Sequence, residues 1–249
     1  MMSASKIKII QSLAKKKYRQ KYNLFVVEGI KSIKEFIFSN FSIKSIYSTV
    51  PISFLKEYQY QIISTEELRK ISFLTTPHDA LALLEIPSNK IEAISGIQLV
   101  LDEIQDPGNL GTIIRLADWY GIKQILCSKG TTDAYNPKTV QAAMGSLSRV
   151  NVVYTDIYNV LSHSKIPILG TDMKGENLYT TNLPENFYIV MGNEGNGVSK
   201  EMKTLCNQTL TIPRFGLEQK TESLNVAMST GIILSEFFSR IEKLKIKKI

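Results

Sequence analysis

The residues of this chain able to do chemistry gather in three short stretches. In the first, Leu101 to Gly121, an apolar run meets Pro107-Gly108-Asn109, and a helical pattern with one cation inside it, Arg115, then begins. Pro107 and Gly108 predict a tight turn, Asn109 an N-cap, and Gly111 a close approach to the first helical turn. Leu110, Ile113, Ile114 and Ala117 share the face to be buried. Arg115 stands about one and a half turns in. An arginine flanked by apolar residues there commonly snorkels from a surface helix.

The second stretch runs from Val190 to Ser199 and places Gly192, Gly195 and Gly197 around a single acid, Glu194. It is neither G-x-G-x-x-G nor a P-loop. Its glycines suit a ligand whose backbone-facing part is not a polyphosphate; a plain turn is the alternative. In the third stretch, Ile212 to Gly231, Ser223-Leu224-Asn225 opens a helix. Ser223 reads as its N-cap. Asn225 suits a helix interior poorly, so its amide is expected to have another task.

Alternating elements must position these stretches. From Ile97 onward, strand patterns alternate with helical ones: IQLVLDEI, QILCS, VNVVYT, IPILGTD, FYIVMG and LTIP are separated by helices, and a long amphipathic helix spans about Ser223 to Lys245. That alternation predicts a parallel sheet with helices on both faces. Ligands of such sheets bind beyond the carboxyl ends of the strands, where the three stretches fall. Residues 1–88 read as a smaller α/β domain, SNKIEAISG as a linker, and 97–249 as the larger domain.

Composition narrows the partners. The formal net charge of +7 and pI of about 9.2 point to a polyanion, either nucleic acid or an acidic membrane face; a generic basic protein is the alternative. Seven cations precede the first acid, Glu28, and AKKKYRQKY interleaves Lys15, Lys16, Lys17, Arg19 and Lys21 with Tyr18 and Tyr22. Cations meet phosphates and aromatic faces stack on bases, so these residues are read as RNA contacts; a solvated helix face is the alternative. The two cysteines, Cys127 and Cys206, lie far apart, and His78 and His163 have no partner at ligand spacing. That argues against a disulfide framework, a zinc site and a Ser-His-Asp hydrolase. No signal peptide or membrane span is evident, so the cytoplasm is the expected compartment.

Asn109-x-Gly111-x-x-x-Arg115, Met191-Gly192-x-Glu194-x-x-Gly197 and Ile212-Pro213…Ser223-Leu224-Asn225-Val226 together resemble the three motifs of SpoU/TrmH-type RNA 2′-O-ribose methyltransferases, in family order. The resemblance covers Leu99 to about Ile241. The region around KKKYRQKYNLFVVEG also resembles the family's ribosomal-protein-like substrate-binding domain. It implies a SPOUT α/β fold with a deep trefoil knot, S-adenosyl-L-methionine (SAM) as methyl donor, and a homodimer with sites at the subunit interface. It places Met191, Gly192, Gly197, Ile212 and Leu224 around the cofactor, and Asn109, Arg115, Glu194, Ser223 and Asn225 at catalysis and substrate.

On that reading Arg115 binds the phosphate beside a ribose 2′-hydroxyl, Glu194 orients Arg115 as an ion pair, and Ser223 and Asn225 position substrate. No metal is implied. Ribosomal RNA is the expected target. A tRNA target, or a catalytically silent ribosome-assembly factor on the same fold, is the alternative. Two departures stand out. Ala227 sits where many members have serine, and the Gly216–Ser223 loop is longer and more charged than in many relatives, which bears on how Leu217 to Glu222 lie over the cofactor. The terminal KLKIKKI reads as a phosphate contact or a frayed helix end.

Overall fold

The computed structural model describes residues 2–56, 59–93, 95–216, 218 and 222–246, with side chains through Glu242. The lie of Leu217 and of residues 219–221 therefore falls outside the described residues, as do the KLKIKKI side chains. Two compact units emerge. The first comprises Met1–Ser88 and Asp133–Arg149; the second comprises Asn89–Thr132 and Val150–Ile249.

The first unit opens with helices α1 (Ala4–Ser12) and α2 (Lys16–Tyr22). Strand β1 (Leu24–Glu28), helix α3 (Ile30–Ile37), strands β2 (Ile43–Ser48) and β3 (Gln61–Ile62), helix α4 (Thr65–Ile71) and strand β4 (Ala80–Glu85) follow. The strands form one sheet in the order β1-β4-β2-β3, antiparallel except for β2 with β3. Helix α4 begins at a capping box, in which Ser64 Oγ accepts from Glu67 N and the Glu67 carboxylate accepts from Ser64 N. Beyond β4, SNKIEAISG is no free linker. Asn89 Nδ2 donates to Val152 O, and Glu92 exchanges hydrogen bonds with the Gln124 side chain, so the stretch lies along the second unit.

The second unit begins with β5 (Ile97–Leu101), α5 (Pro107–Trp119) and β6 (Gln124–Cys127). The chain then contributes α6 (Pro137–Ala143) and a 3-10 turn at Ser146–Ser148 to the first unit. That segment, read from sequence as part of the larger domain, packs with α6 on β1, where the Phe25 and Tyr135 rings lie 4.9 Å apart. The second unit resumes with β7 (Asn151–Tyr154), α7 (Ile157–Ser162), β8 (Ile168–Asn177), β9 (Phe187–Met191), α8 (Lys200–Lys203), β10 (Gln208–Thr211) and α9 (Val226–Ile246). Its six strands are all parallel, in the order β10-β8-β9-β5-β6-β7. The central strand β5 is buried at every position, as a strand covered on both faces must be. Helices α5 and α9 pack together. Gly231 meets the Leu116 side chain, and Tyr120 stacks on Phe238 at 4.9 Å.

One expected RNA contact is corrected here. Arg19 is only 2% exposed. Its Nη1 donates to Leu13 O at 2.7 Å and Ala14 O at 3.0 Å, while Nε and Nη2 both reach Asp133 Oδ2, at 2.9 and 2.5 Å. Four of the five guanidinium N–H donors are engaged inside the fold and the side chain is buried, so it is not presented to a phosphate. Lys15, Lys16, Lys17 and Lys21 are exposed.

Candidate active site

The loops that leave β5, β9 and β10 share the carboxyl edge of the parallel sheet. Beyond β9, the chain turns so tightly that a Cβ on Gly192 would lie 2.1 Å from Val198 N and 2.2 Å from Gly197 C; only glycine fits. Gly197 takes φ +67°, a conformation that side chains resist. Between them Asn193 and Gly197 exchange backbone hydrogen bonds of 3.0 and 2.9 Å. The Asn193 Oδ1 accepts from Gly195 N and Asn196 N, and its Nδ2 donates to Glu103 O at 2.8 Å. Asn193 thus shapes the glycine loop and fastens it to the chain leaving β5.

Beyond β5, Asp106 and not Asn109 caps α5. Asp106 is extended, its Oδ1 accepts from Asn109 N at 2.8 Å, and Pro107 takes the first helical position. Pro107 and Gly108, read as a turn, are already helical. The Asn109 amide is thereby free for another role. Its Nδ2 donates to Glu194 Oε1 at 3.0 Å, and the Glu194 carboxylate also accepts from Gln105 N at 3.2 Å and Asp106 N at 3.3 Å. Partial burial raises the Glu194 carboxyl. The hydrogen bonds from Asn109, its own backbone, Gln105 and Asp106 outweigh that and hold it below the ordinary glutamate range.

At the start of α9, Asn225 is the cap instead of Ser223. Its Oδ1 accepts from Ala227 N at 3.0 Å and Met228 N at 3.2 Å, and its Nδ2 donates to Asn109 Oδ1 at 2.9 Å. The task expected of this amide is therefore twofold: it caps a helix and joins the first stretch to the third. A line of side chains, Glu194–Asn109–Asn225, ties all three stretches together. Within the chain Glu194 and Arg115 do not pair; Glu194 is held by amides, and Arg115 points outward from α5, exposed.

Against this network lies a cavity of about 1030 Å³. Met191, Gly192 and Gly197 line it from the glycine loop, Ile212 from the end of β10, and Ser223 and Leu224 from the approach to α9. Arg115 and Asn109 do not line it. Among the described residues, four acids on its wall, Asp172, Glu194, Glu218 and Glu222, accompany one cation, Arg214. A hydrogen bond from Lys203 at 2.6 Å holds the Asp172 carboxyl low. An acidic wall repels a polyphosphate and favours a cation. With exposed apolar surface at Phe215 and Leu224, it fits a ligand that joins a planar apolar group to a positive charge. The sulfonium of SAM meets that description.

Sequence spacing missed Asp106, Asn193 and the buried Asp102, whose Oδ2 accepts from Ser199 N at 2.8 Å. An Asp immediately before Pro is itself a helix-start signal, so Asp106 was findable; Asn193 and Asp102 act through tertiary contacts. Among the described residues, no group of three or more His, Cys, Asp or Glu side chains could hold a metal, and no helix is long and apolar enough to cross a membrane.

Fold and site together define an α/β domain with its cavity at the carboxyl edge of a parallel sheet. Residues 96–235 match the SpoU rRNA methylase family and residues 4–82 an MRM3-like substrate-binding domain. The chain belongs to the SpoU rRNA methylase family. It is 31% identical over 238 residues to the 23S rRNA (guanosine(2553)-2′-O)-methyltransferase RlmP of Bacillus subtilis, covering 92% of this chain and 94% of that protein. A solved structure of a TrmH-family protein from Porphyromonas gingivalis superposes with a TM-score of 0.84 at 36% identity, over 95% of this chain and 98% of that one. The AdoMet-bound rRNA methyltransferase of Sinorhizobium meliloti superposes with a TM-score of 0.84 at 26% identity, over 95% of each chain.

Proposed function

We propose that this chain transfers the methyl group of SAM to a ribose 2′-hydroxyl of ribosomal RNA of the 23S type. The observation that carries the reading is the meeting of all three motifs beside one acidic cavity, through Glu194, Asn109 and Asn225. The full-length similarity to a 23S rRNA methyltransferase supports the substrate class.

When bound, SAM supplies an electrophilic methyl on a sulfonium. The backbone around Met191, Gly192 and Gly197, with Ile212 and Leu224, forms the wall that holds it. Ser223 lines the same cavity from an exposed position suited to meeting substrate. Arg115 grips the phosphate next to the target ribose, fixes the hydroxyl toward the methyl and favours the developing alkoxide through its field. It keeps its own proton throughout.

The homodimer belongs to this proposal. Arg115 does not line the cavity of its own chain, and it shares an exposed stripe of α5 with Thr112 and Trp119. Trp119 is 84% exposed, and Met228 on the neighbouring α9 is 63% exposed. Apolar surface of that kind marks an interface, and pairing two copies through it brings Arg115 of one protomer to the cavity of its partner. The threaded chain end implied by the motifs and the cytoplasmic compartment of ribosomal RNA are part of the same reading.

The test is transfer of labelled methyl from SAM to unmodified rRNA and tRNA in parallel, with Arg115→Ala beside the unaltered chain. Label on rRNA at a ribose 2′-oxygen, lost in the variant while SAM still binds, is the expected result. RNA binding with no transfer to either RNA would remove the enzymatic reading.

A further inference from the structure

The whole formal charge surplus sits on the first unit. That unit has 15 Lys and Arg against 8 Asp and Glu, a surplus of 7, whereas the second has 15 against 15. The electrostatic attraction for a polyanion is therefore concentrated on one unit, and its densest part is α2 with the residue before it. Lys15, Lys16, Lys17 and Lys21 are exposed there.

Two aromatic rings lie among these cations. Tyr18 and Tyr22, one helical turn apart, are nearly parallel, with 15° between their planes and 6.3 Å between centroids. Lys17 Nζ stands 5.0 Å from the Tyr18 ring centre, and Lys21 Nζ 5.5 Å from that of Tyr22. Tyr22 packs against the core of the unit, Tyr18 stacks on Tyr22, and both stay partly exposed. The buried Arg19 fixes the rotation of α2 through Leu13 O, Ala14 O and Asp133. The helix thus holds one face inward and presents cations and the partly exposed Tyr18 and Tyr22 rings on the rest.

Phosphate attraction alone needs no aromatic surface. Duplex RNA hides its base faces within the stack, whereas unpaired nucleotides offer theirs. We propose that this face binds unpaired nucleotides of the substrate RNA, with a base stacked on Tyr18 and phosphates met by Lys15, Lys17 and Lys21. The proposal rests on the RNA methyltransferase reading and narrows its substrate to a target accompanied by single-stranded RNA.

Fluorescence anisotropy with the full chain tests it, using a short unpaired RNA and a hairpin duplex of the same composition at two salt concentrations. The unpaired RNA binds about tenfold tighter, a stacked base being the difference. Tyr18→Leu keeps apolar bulk without a ring face; it loses about tenfold on the unpaired RNA and nothing on the duplex. Tyr18→Phe binds as the unaltered chain does. Lys17→Ala with Lys21→Ala weakens both RNAs and lowers the salt slope by about 0.7 for each phosphate no longer neutralised. Equal affinity for strand and duplex, or equal behaviour of the Leu and Phe variants, overturns the stacking role. Methyl transfer to intact rRNA is read separately on the same preparations. Transfer without strand preference sinks this proposal alone, and strand preference without transfer sinks the enzymatic reading alone.

Discussion

Asn225 Nδ2 donates to Asn109 Oδ1 at 2.9 Å, so the amides of two motifs run head to tail. Their polarity is dictated at both ends. The ionised Glu194 carboxylate only accepts, which turns Asn109 Nδ2 toward it. The start of α9 only donates, which turns Asn225 Oδ1 toward Ala227 N and Met228 N. Each amide therefore has one orientation, set by a charge on one side and a helix terminus on the other.

Replacing Asn225 separates its two tasks. Asn225→Asp still caps α9 but sets an acceptor against Asn109 Oδ1. Its melting temperature should stay close to that of the unaltered chain while SAM affinity, read by calorimetry, falls about tenfold or more. Asn225→Ala should lose both, with about 1 kcal/mol of stability gone with the cap. An Asp variant that binds SAM normally would show that the link between motifs is idle.

The Glu194 hydrogen bonds imply an acid limb in stability. Its folded pKa lies below the ordinary glutamate value of 4.5. The contribution is therefore complete above 4.5 and is lost as pH falls through the lower, folded value. Urea unfolding of the unaltered chain should weaken across that window, and Glu194→Gln should show a shallower acid limb there. Identical limbs would mean that the carboxylate is not the anchor of the network.

The proposed placement of Arg115 at the partner's cavity has a consequence for mixed dimers. Arg115→Ala retains an intact cavity, and Glu194→Ala retains an intact Arg115. Each alone should be inactive. Co-refolded in equal amounts, they should recover about a quarter of normal transfer, since half the two-fold dimers then hold one complete site. Zero recovery would place Arg115 in its own chain's site.

Buried ions make the first unit brittle. Asp133→Asn leaves the Arg19 charge inside the fold without its counter-ion and should remove about 3 kcal/mol of stability in urea. Arg19→Lys should be little better, because one ammonium cannot span Asp133, Leu13 O and Ala14 O. At Tyr47 the opposite is expected. Its hydroxyl is buried with no hydrogen-bond partner among the described residues, so Tyr47→Phe should stabilise by about 1 kcal/mol on the same scale.

Much of this architecture was legible because apolar periodicity reports which face is buried. The strands IQLVL and FYIVM and the helix carrying Ile113, Ile114 and Ala117 lie where their patterns put them. Helix caps were harder. Asp106 and Asn109, or Ser223 and Asn225, are equally competent by residue type, and the choice depends on which one the backbone holds extended at the helix start. Glu194 and Arg115 do not pair within the chain, because opposite charges in neighbouring motifs say nothing about direction, and backbone N–H groups reach the carboxylate instead. Arg19 looked like its lysine neighbours until Asp133, 114 residues along the chain, supplied its partner.

The return of Asp133–Arg149 to the first unit also limits how this protein can be taken apart or recombined. A fragment cut at Ser88 exposes the Phe25 ring and strands the Arg19 guanidinium, although it contains the whole matched substrate-binding segment. Residues 97–249 alone would carry α6 and the 3-10 turn without the strand β1 on which α6 packs. Replacing the first unit of this chain must therefore move two separate pieces of sequence together, one of them embedded within the segment that matches the methylase family.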